Sequence, residues 1–378
     1  MSDVGKPSSK SSSFGIKKSL ALIFLAFIVK RTIDAGDPVY YIIPNALLFT
    51  PFIDVLYFFW DVMDPWSRLP EEHIPKHVPI LTPEEFNMES LKKATQNFKH
   101  PVLVRGLYKD TPAVKNWGKK GCLTEKFGKF YMPYIDKATF GTQQDDRNED
   151  YFAPIFEEIR SDPKSQKYLF FPVLSRFQMK GKDSGSMEEL TNVTNQVVHD
   201  ELMLSQKIWD GFATDVGRHK EFRNSQLIIG RGTNNFNSTT GTGLHAEPGH
   251  NWFSQVVGKK RWYLMEQKYS ALMKPVRGGI VNMQTGTTHT HDFEMFKRFP
   301  LQYADTHPGD LLYSPDWYWH SVKNYEGFNI GCPIRELNMS IAFRNNAAYT
   351  GAIVVNKIAE KLFGIDIGGY PSARHMGK

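Results

Sequence analysis

Cysteine is scarce in this chain, and its scarcity excludes two classes of protein. The 378 residues contain two cysteines, Cys122 and Cys332. A disulfide-stapled scaffold needs more of them, and so does a metal site built mainly from thiolates. The pair could form a single bridge, but we expect two buried or free thiols.

A strong charge of one sign is also missing. The chain carries 46 Lys and Arg against 40 Asp and Glu, a formal net charge of +6. This excess is mild and scattered, so it fits an anionic small ligand or a weakly basic surface, and we expect no nucleic-acid partner. With 41% hydrophobic and 23% charged residues, wholesale disorder and a polytopic membrane protein are both excluded. An aromatic content of 13% is typical of a β-rich fold with a deep pocket.

No long apolar run is free of interruption. Residues 19–29 are mostly apolar and would rise about 16 Å as a helix, short of the roughly 30 Å hydrocarbon core. They resemble part of a signal peptide, but no convincing cleavage site follows. Residues 39–59 are long enough to span but contain Pro44, Pro51 and Asp54. We predict a membrane-associating element over 15–66, within an N-terminal segment 1–67. The alternatives are an arm packed on the main domain and a cleaved targeting peptide.

Membrane association predicts the endoplasmic reticulum or the Golgi as the compartment.

After the N-terminal segment, Thr82 followed by Pro83 and Glu85 indicates a helix start, and the helix should end near Asn97. Helical periodicity also covers 186–216. A last amphipathic helix is predicted over 352–363, and it could pair with a second copy as a homodimer or pack on its own domain.

Strands dominate the second half of the chain. Residues 101–107 read as one strand, and from Ser225 to about Arg344 short β-rich runs alternate with Gly, Asn, Thr and Pro. Closely spaced strands of this kind indicate a barrel or a sandwich.

One pattern in this β-rich region indicates a metal site. His245 and Glu247 are two residues apart, and on a strand such residues project from the same face. His320, in a second strand-like run, could supply a third ligand. Two His and one carboxylate leave open positions on the metal, as in non-haem Fe(II) oxygenases. The similar triplet from His199 to Glu201 lies in a helical pattern, where residues two apart diverge by about 200°, so we assign it to a solvated helix face.

A single charge on an apolar strand face supports the same interpretation. Counting from Gln255, Lys260 shares its face with Val256, Trp262 and Leu264. A buried ammonium is costly unless it is paired, and the far carboxylate of a dicarboxylate co-substrate would pair it. Alternatively, Lys260 reaches the rim, or a bulge shifts the strand's parity.

Three sequence blocks carry a family resemblance. The first is Pro-Val-Leu-Val-Arg-Gly-Leu at 101–107, with Trp117 downstream. The second contains Thr242, His245, Glu247, Asn251, Phe253, Gln255, Gly258, Lys260 and Arg261. The third contains Pro308, Gly309, Asp310, Leu312, Tyr313, Pro315, Trp319 and His320. In this order, the blocks resemble the JmjC (cupin-like) family of Fe(II)/2-oxoglutarate oxygenases, notably the branch containing the asparaginyl hydroxylase of hypoxia-inducible factor.

The resemblance implies a β-rich α+β fold. Its core would be a double-stranded β-helix (jelly roll) with flanking helices over residues 80–345, followed by a C-terminal helix and tail over 346–378. It implies Fe(II) bound by His245, Glu247 and His320, and 2-oxoglutarate held by Lys260 with Thr242 and Asn251 nearby.

With O2, such an enzyme would hydroxylate or demethylate a protein side chain or another organic substrate and release succinate and CO2. The alternatives are a catalytically inactive binding module tethered to a membrane and a Zn or Mn cupin enzyme.

The chain departs from the family pattern in three places. The carboxylate ligand is Glu rather than the commoner Asp, and Lys259 stands beside Lys260. On the expected last core strand, 338–344, Ala342 stands where relatives often place a polar residue near the iron, unless Ser340 or Asn338 substitutes in another register. Of the remaining histidines, His250 is predicted on a surface loop at the pocket mouth, and His289 and His291 on another surface loop.

Overall fold

The computed structural model describes thirteen stretches of the chain: residues 69, 73–136, 147–172, 186–202, 224–233, 239–269, 275–277, 283–285, 298–325, 327–336, 338–346, 350–351 and 354. The predicted membrane-associating element lies outside them, as do His289, His291 and nearly all of the helix predicted over 352–363. Among the described residues, no helix has the length and apolar character needed to cross a membrane. Cys122 and Cys332 are free thiols.

Strands are the commonest regular elements of the described structure. They are β1 (Lys76–His77), β2 (Ile80–Leu81), β3 (Val102–Val104), β4 (Tyr131–Ile135), β5 (Arg147–Tyr151), β6 (Tyr168–Phe171), β7 (Asn224–Ser225), β8 (Leu227–Gly232), β9 (Gly241–Ala246), β10 (His250–Val257), β11 (Lys260–Met265), β12 (Pro275–Arg277), β13 (Met283–Thr285), β14 (Gln302–Thr306), β15 (Leu311–Ser314), β16 (Trp319–Asn324) and β17 (Gly327–Glu336). The helices are α1 (Met88–Ala94), α2 (Pro112–Asn116), α3 (Cys122–Phe127), α4 (Phe152–Ser161), α5 (Met187–Leu202) and α6 (Met339–Asn345).

The strands form two large sheets. One has the order β1-β14-β11-β16-β9-β13-β12, and the other has the order β2-β3-β15-β10-β17-β8-β6-β4-β5, with β7 added beside β17. At their centres lie β14-β11-β16-β9 and β15-β10-β17-β8. From β8 to β11, consecutive strands alternate between the two sheets, a connectivity typical of double-sheet jelly rolls. The β-rich character of the predicted fold is confirmed: the described residues form two large sheets and few helices.

Apolar side chains from both sheets meet between them. Phe253 and Leu312 come from the larger sheet, and Trp262, Leu264 and Val322 come from the smaller one. A second and larger core packs the outer face of the larger sheet against α1 to α5. Part of the space between the sheets is therefore filled by apolar side chains. Polar side chains that also point between the sheets are unusual there and need a partner.

The helix predicted from Thr82 begins later. Thr82 and Glu85 do exchange reciprocal hydrogen bonds, but these close only a turn. The helix itself starts at Met88, where Asn87 and Ser90 form a second reciprocal cap. It ends at Ala94, and residues 96–98 have positive φ angles. The expected helix over 186–216 is present as Met187–Leu202, and its remainder lies outside the described stretches.

The predicted last core strand at 338–344 is wrong. This segment is helix α6, and Asn338 caps it because its side chain accepts a hydrogen bond from the Ile341 amide. Ile341, Ala342 and Asn345 are the buried positions, which is a helical spacing. The sheet is completed earlier, by β17, so Ala342, Ser340 and Asn338 do not occupy the strand position beside the metal site.

Candidate metal centre and co-substrate pocket

Three side chains that the sequence singles out converge between the sheets. His245 on β9 lies directly opposite His320 on β16 in the antiparallel register. Glu247 follows β9 by one residue, and its Oε1 atom is 3.7 Å from His245 Nε2 and 3.5 Å from His320 Nε2. One ligand atom from each residue lies within 4.8 Å of the others, close enough for all three to bind one metal ion.

Both imidazoles are held with Nε2 facing the centre. His245 Nδ1 lies 2.8 Å from the Gly243 carbonyl oxygen, and His320 Nδ1 lies 2.9 Å from that of Tyr318. Each carbonyl accepts the Nδ1 proton, so the Nε2 lone pair is left for a metal. Burial lowers the pKa of His320 to about 4 and that of His245 well below its usual value. Both rings are therefore neutral at physiological pH, which is the form that coordinates metals.

The two oxygens of Glu247 have different surroundings. Oε2 forms an ion pair with Arg335 Nη1 on β17. Oε1, which faces the two histidines, is buried and accepts no hydrogen bond from any described residue. A buried carboxylate oxygen with no donor is costly, and a metal ion would satisfy it. The residues present therefore fit a divalent metal.

Sequence reasoning missed Arg335. The sequence pattern assigns the last core strand to 338–344, whereas Arg335 lies on the preceding strand, β17. In the correct register, Arg335 lies opposite Asn251. Two features of the sequence could have indicated it. Arg335 is the single Lys or Arg of the strand Gly327–Glu336, and the carboxylate ligand that it contacts is one methylene longer than the usual Asp.

Lys260 is completely buried on β11, on the same face as Trp262 and Leu264. Its Nζ donates to Asn324 Oδ1, and the Asn324 amide nitrogen in turn donates to Thr240 Oγ1 at 2.6 Å. No carboxylate in the described part of the chain pairs with this ammonium, and burial lowers its pKa to about 7. An anionic ligand would supply the missing charge.

The other two predicted co-substrate residues also have unsatisfied polar atoms. Thr242 Oγ1 and both amide atoms of Asn251 are buried without a hydrogen-bond partner among the described residues. Thr242 pairs with Val322 on β16, beside the strand position of His320. Asn251 lies opposite Arg335, the residue that contacts Glu247. Thr242 therefore lies on β9, the strand that carries His245, and Asn251 lies on β10 of the other sheet, beside the arginine that contacts Glu247. Both could bind a polar ligand.

Gly230 keeps the region around Lys260 compact. A Cβ atom there would lie 2.7 Å from Tyr168 Cδ2 and 2.9 Å from both Asn324 Nδ2 and Thr240 Oγ1. The Tyr168 ring centroid is 6.0 Å from Lys260 Nζ. Any larger residue at position 230 would displace the amide that orients Lys260.

His250 is not on a surface loop, as predicted, but is the first residue of β10 and is fully buried. Its Nδ1 lies 2.7 Å from the Tyr313 hydroxyl and its Nε2 lies 3.0 Å from Asp316 Oδ2. Burial lowers the pKa of His250 to about 3 and raises that of Asp316 well above its usual value. The burial of His250 depends on contacts with Tyr313 and Asp316, which are more than 60 residues away in the sequence. By contrast, His199 is exposed on α5, as expected.

Two of the sequence blocks are joined by Asp310. This buried carboxylate forms an ion pair with Arg105 and accepts hydrogen bonds from the Gly106 and His307 amides at 2.8 and 2.7 Å. The Arg-Gly and Pro-Gly-Asp segments thus meet in space and brace β3 against β15. Their role is structural, whereas the block from Thr242 to Lys260 carries polar groups of the site.

Comparison with known proteins agrees with this architecture. The family model of the Cupin-like domain matches residues 88–333. The JmjC domain-containing protein D of Dictyostelium discoideum is 31% identical over 90 residues, covering 22% of this chain and 20% of that protein. The aligned segment thus spans about a fifth of this relative's length. The extent of the family match shows that the chain belongs to the cupin-like (JmjC-type) domain family.

Proposed function

We propose that this protein is an Fe(II)- and 2-oxoglutarate-dependent oxygenase that hydroxylates or demethylates a protein side chain or another organic substrate. The observation that carries the proposal is the convergence of His245 Nε2, His320 Nε2 and Glu247 Oε1 within 4.8 Å. Two imidazoles and one carboxylate are the ligand set of non-haem Fe(II) oxygenases. Bound iron would supply the oxidising chemistry, with release of succinate and CO2 from the co-substrate.

The protein's own contribution is binding and orientation. Lys260, oriented by Asn324, offers a buried positive charge to the far carboxylate of 2-oxoglutarate. Thr242 and Asn251 have unpaired polar atoms for the rest of the molecule. Trp262 stacks on His320, with ring centroids 5.4 Å apart, and thereby shields the metal-binding imidazole from water on one side.

The test is 2-oxoglutarate turnover by the full chain with Fe(II) and O2, measured as succinate formed without added substrate. His245→Ala should abolish it. The matched control is His199→Ala, because His199 stands in a similar triplet but is exposed on a helix. Turnover that survives His245→Ala, or is lost equally in His199→Ala, would contradict the proposal.

One observation favours a second candidate, an inactive cupin-like binding module. The Arg335–Glu247 ion pair neutralises the carboxylate without a metal. This alternative predicts that the purified protein retains no iron and that 2-oxoglutarate does not raise its melting temperature. A Zn or Mn cupin enzyme would retain metal but would not need Lys260, so metal analysis combined with Lys260→Ala separates the three.

A further inference from the structure

The carboxylate of Glu247 is divided between two partners. Oε1 points toward His245 Nε2 and His320 Nε2, at 3.7 and 3.5 Å. Oε2 is engaged by Arg335 Nη1. Because the two oxygens belong to one rigid plane, the contact at Oε2 restricts rotation of the whole carboxylate group.

This division matters because a carboxylate can bind a metal ion through one oxygen or both. If Glu247 chelated through both oxygens, the protein would fill about four of the six positions of an octahedral ion instead of about three. Glu has one more methylene than Asp and reaches further, so it is freer to turn its second oxygen toward the ion. An oxygenase of this kind needs the remaining positions for its co-substrate and O2.

Arg335 is well placed to prevent chelation. It lies on β17 opposite Asn251, and its guanidinium carbon is 5.6 Å from the centroid of the Phe170 ring. The backbone of Glu247 is fixed as well, because the Trp317 amide donates to its carbonyl oxygen at 2.6 Å. The main chain and the far oxygen are therefore both held.

We propose that Arg335 is a positioning residue that reserves Glu247 Oε2 and so makes Glu247 a one-oxygen ligand. This inference rests on the proposed metal site and concerns how that site keeps its coordination positions open. It also explains how this chain can use Glu, which is longer than Asp, as a ligand without its second oxygen occupying a further coordination position on the metal.

The experiment counts the water molecules bound to Mn(II), a redox-stable substitute for Fe(II), in the full-length protein. Water-proton relaxation of the Mn(II)-loaded protein gives this number without catalytic turnover. We expect about three exchangeable waters in the wild type and about two in Arg335→Met, because the released carboxylate then chelates. Arg335→Lys keeps a charged donor and should retain about three.

The control is Arg231→Met. Arg231 is a half-buried arginine on β8 whose guanidinium donates to the backbone carbonyls of Ile159 and Arg160, so its loss should leave the count unchanged. If Arg335→Met does not fold, Arg335→Gln replaces it. The Gln side chain is uncharged and two bonds shorter than that of Arg, so it should also release Glu247 Oε2 and give about two waters.

The outcomes separate the two proposals. An unchanged water count in a folded, Mn(II)-loaded Arg335→Met protein overturns the inference and leaves the metal site standing. A lower count in Arg335→Lys, equal to that of Arg335→Met, also overturns it, because charge and a donor would then not suffice. If the wild type and His245→Ala both fail to bind Mn(II), the metal site and the inference fall together.

Discussion

Replacing Lys260 by Met should make the protein more stable and at the same time unable to bind 2-oxoglutarate. Lys260 is completely buried, and burial lowers its pKa from 10.5 to about 7. The unfolded chain therefore holds a proton that the folded chain partly gives up. At about 1.4 kcal/mol per pH unit, the cost to the folded state is roughly 4 kcal/mol at pH 7.

Met has a similar length and no charge, so the substitution removes this cost. It also removes the hydrogen bond to Asn324, and leaving that amide oxygen unpaired costs about 1–2 kcal/mol. We therefore expect Lys260→Met to be about 2–3 kcal/mol more stable than the wild type at pH 7. Gains of this size occur when buried charges are replaced by apolar residues.

The pH dependence gives the more discriminating result. A lowered pKa means that the wild type becomes more stable as pH rises from about 7 toward 10.5, since the unfolded state binds more protons in that window. At pH 9 the cost of burying Lys260 falls to roughly 2 kcal/mol. The advantage of Lys260→Met should therefore shrink by about 2 kcal/mol between pH 7 and pH 9.

Urea unfolding at the two pH values measures this difference, and Lys259→Met is the matched control. Lys259 is the exposed neighbour on the chain, so its substitution should change the free energy of unfolding by less than about 0.5 kcal/mol. In parallel, 2-oxoglutarate should raise the melting temperature of the wild type and of Lys259→Met, but not of Lys260→Met. The reasoning would be refuted if Lys260→Met were less stable than the wild type at pH 7. It would also be refuted if the stability difference between the two proteins were the same at pH 7 and pH 9.

Three further predictions follow from single sites. Gly230→Ala should weaken 2-oxoglutarate binding by about 10-fold or more, because the new Cβ would lie 2.9 Å from the Asn324 amide; an unchanged dissociation constant by calorimetry would contradict this. Asp316→Asn should make the protein acid-sensitive. In the wild type, His250 is neutral and Asp316 is protonated, so the folded and unfolded states bind the same number of protons between about pH 4 and 6.5. In Asp316→Asn, the neutral His250 has no such compensation. The free energy of unfolding of the variant should therefore fall by about 1.4 kcal/mol per pH unit below pH 6.5. Urea midpoints at pH 6.5 and 4.5 that shift equally in variant and wild type would argue against a neutral pair. Asp310→Ala should lower the free energy of unfolding by about 3 kcal/mol and Asp310→Asn by less, because Asp310 satisfies two backbone amides and one arginine; equal effects in thermal unfolding would contradict this.

The sequence was most informative where strand periodicity and chemistry coincided. His245 and Glu247 were placed on one strand face, and their side chains do meet that of His320. Lys260 was placed on an inward face by counting from Gln255, and it is buried. In each case a period of two residues decides which side chains share a face, and that period can be read directly from the sequence.

Features set by long-range pairing could not be predicted in this way. Segment 338–344 alternates in hydrophobicity like a strand, but Asn338 caps it as a helix because β17 has already filled the sheet. That error concealed Arg335, whose importance depends on contact with a residue 88 positions earlier in the chain. His250 was misjudged for a similar reason, since its partners Tyr313 and Asp316 come from a distant strand and the turn that follows it.

Asp310 and Lys260 are both buried charged groups, but they differ in how fully the protein compensates their charge. Asp310 on the edge of the core is satisfied by one ion pair and two backbone amides, so the protein alone accounts for its burial. Lys260 is just as buried but has only a neutral amide from Asn324, and Glu247 Oε1 has no donor among the described residues. Asp310 shows that the fold can compensate a buried charge fully. Among the described residues, Lys260 has no counter-charge, and Arg335 compensates Glu247 only on the side of Oε2. A cation beside Glu247 Oε1 and an anion beside Lys260 would complete both groups, and those are the charges of a metal ion and a dicarboxylate.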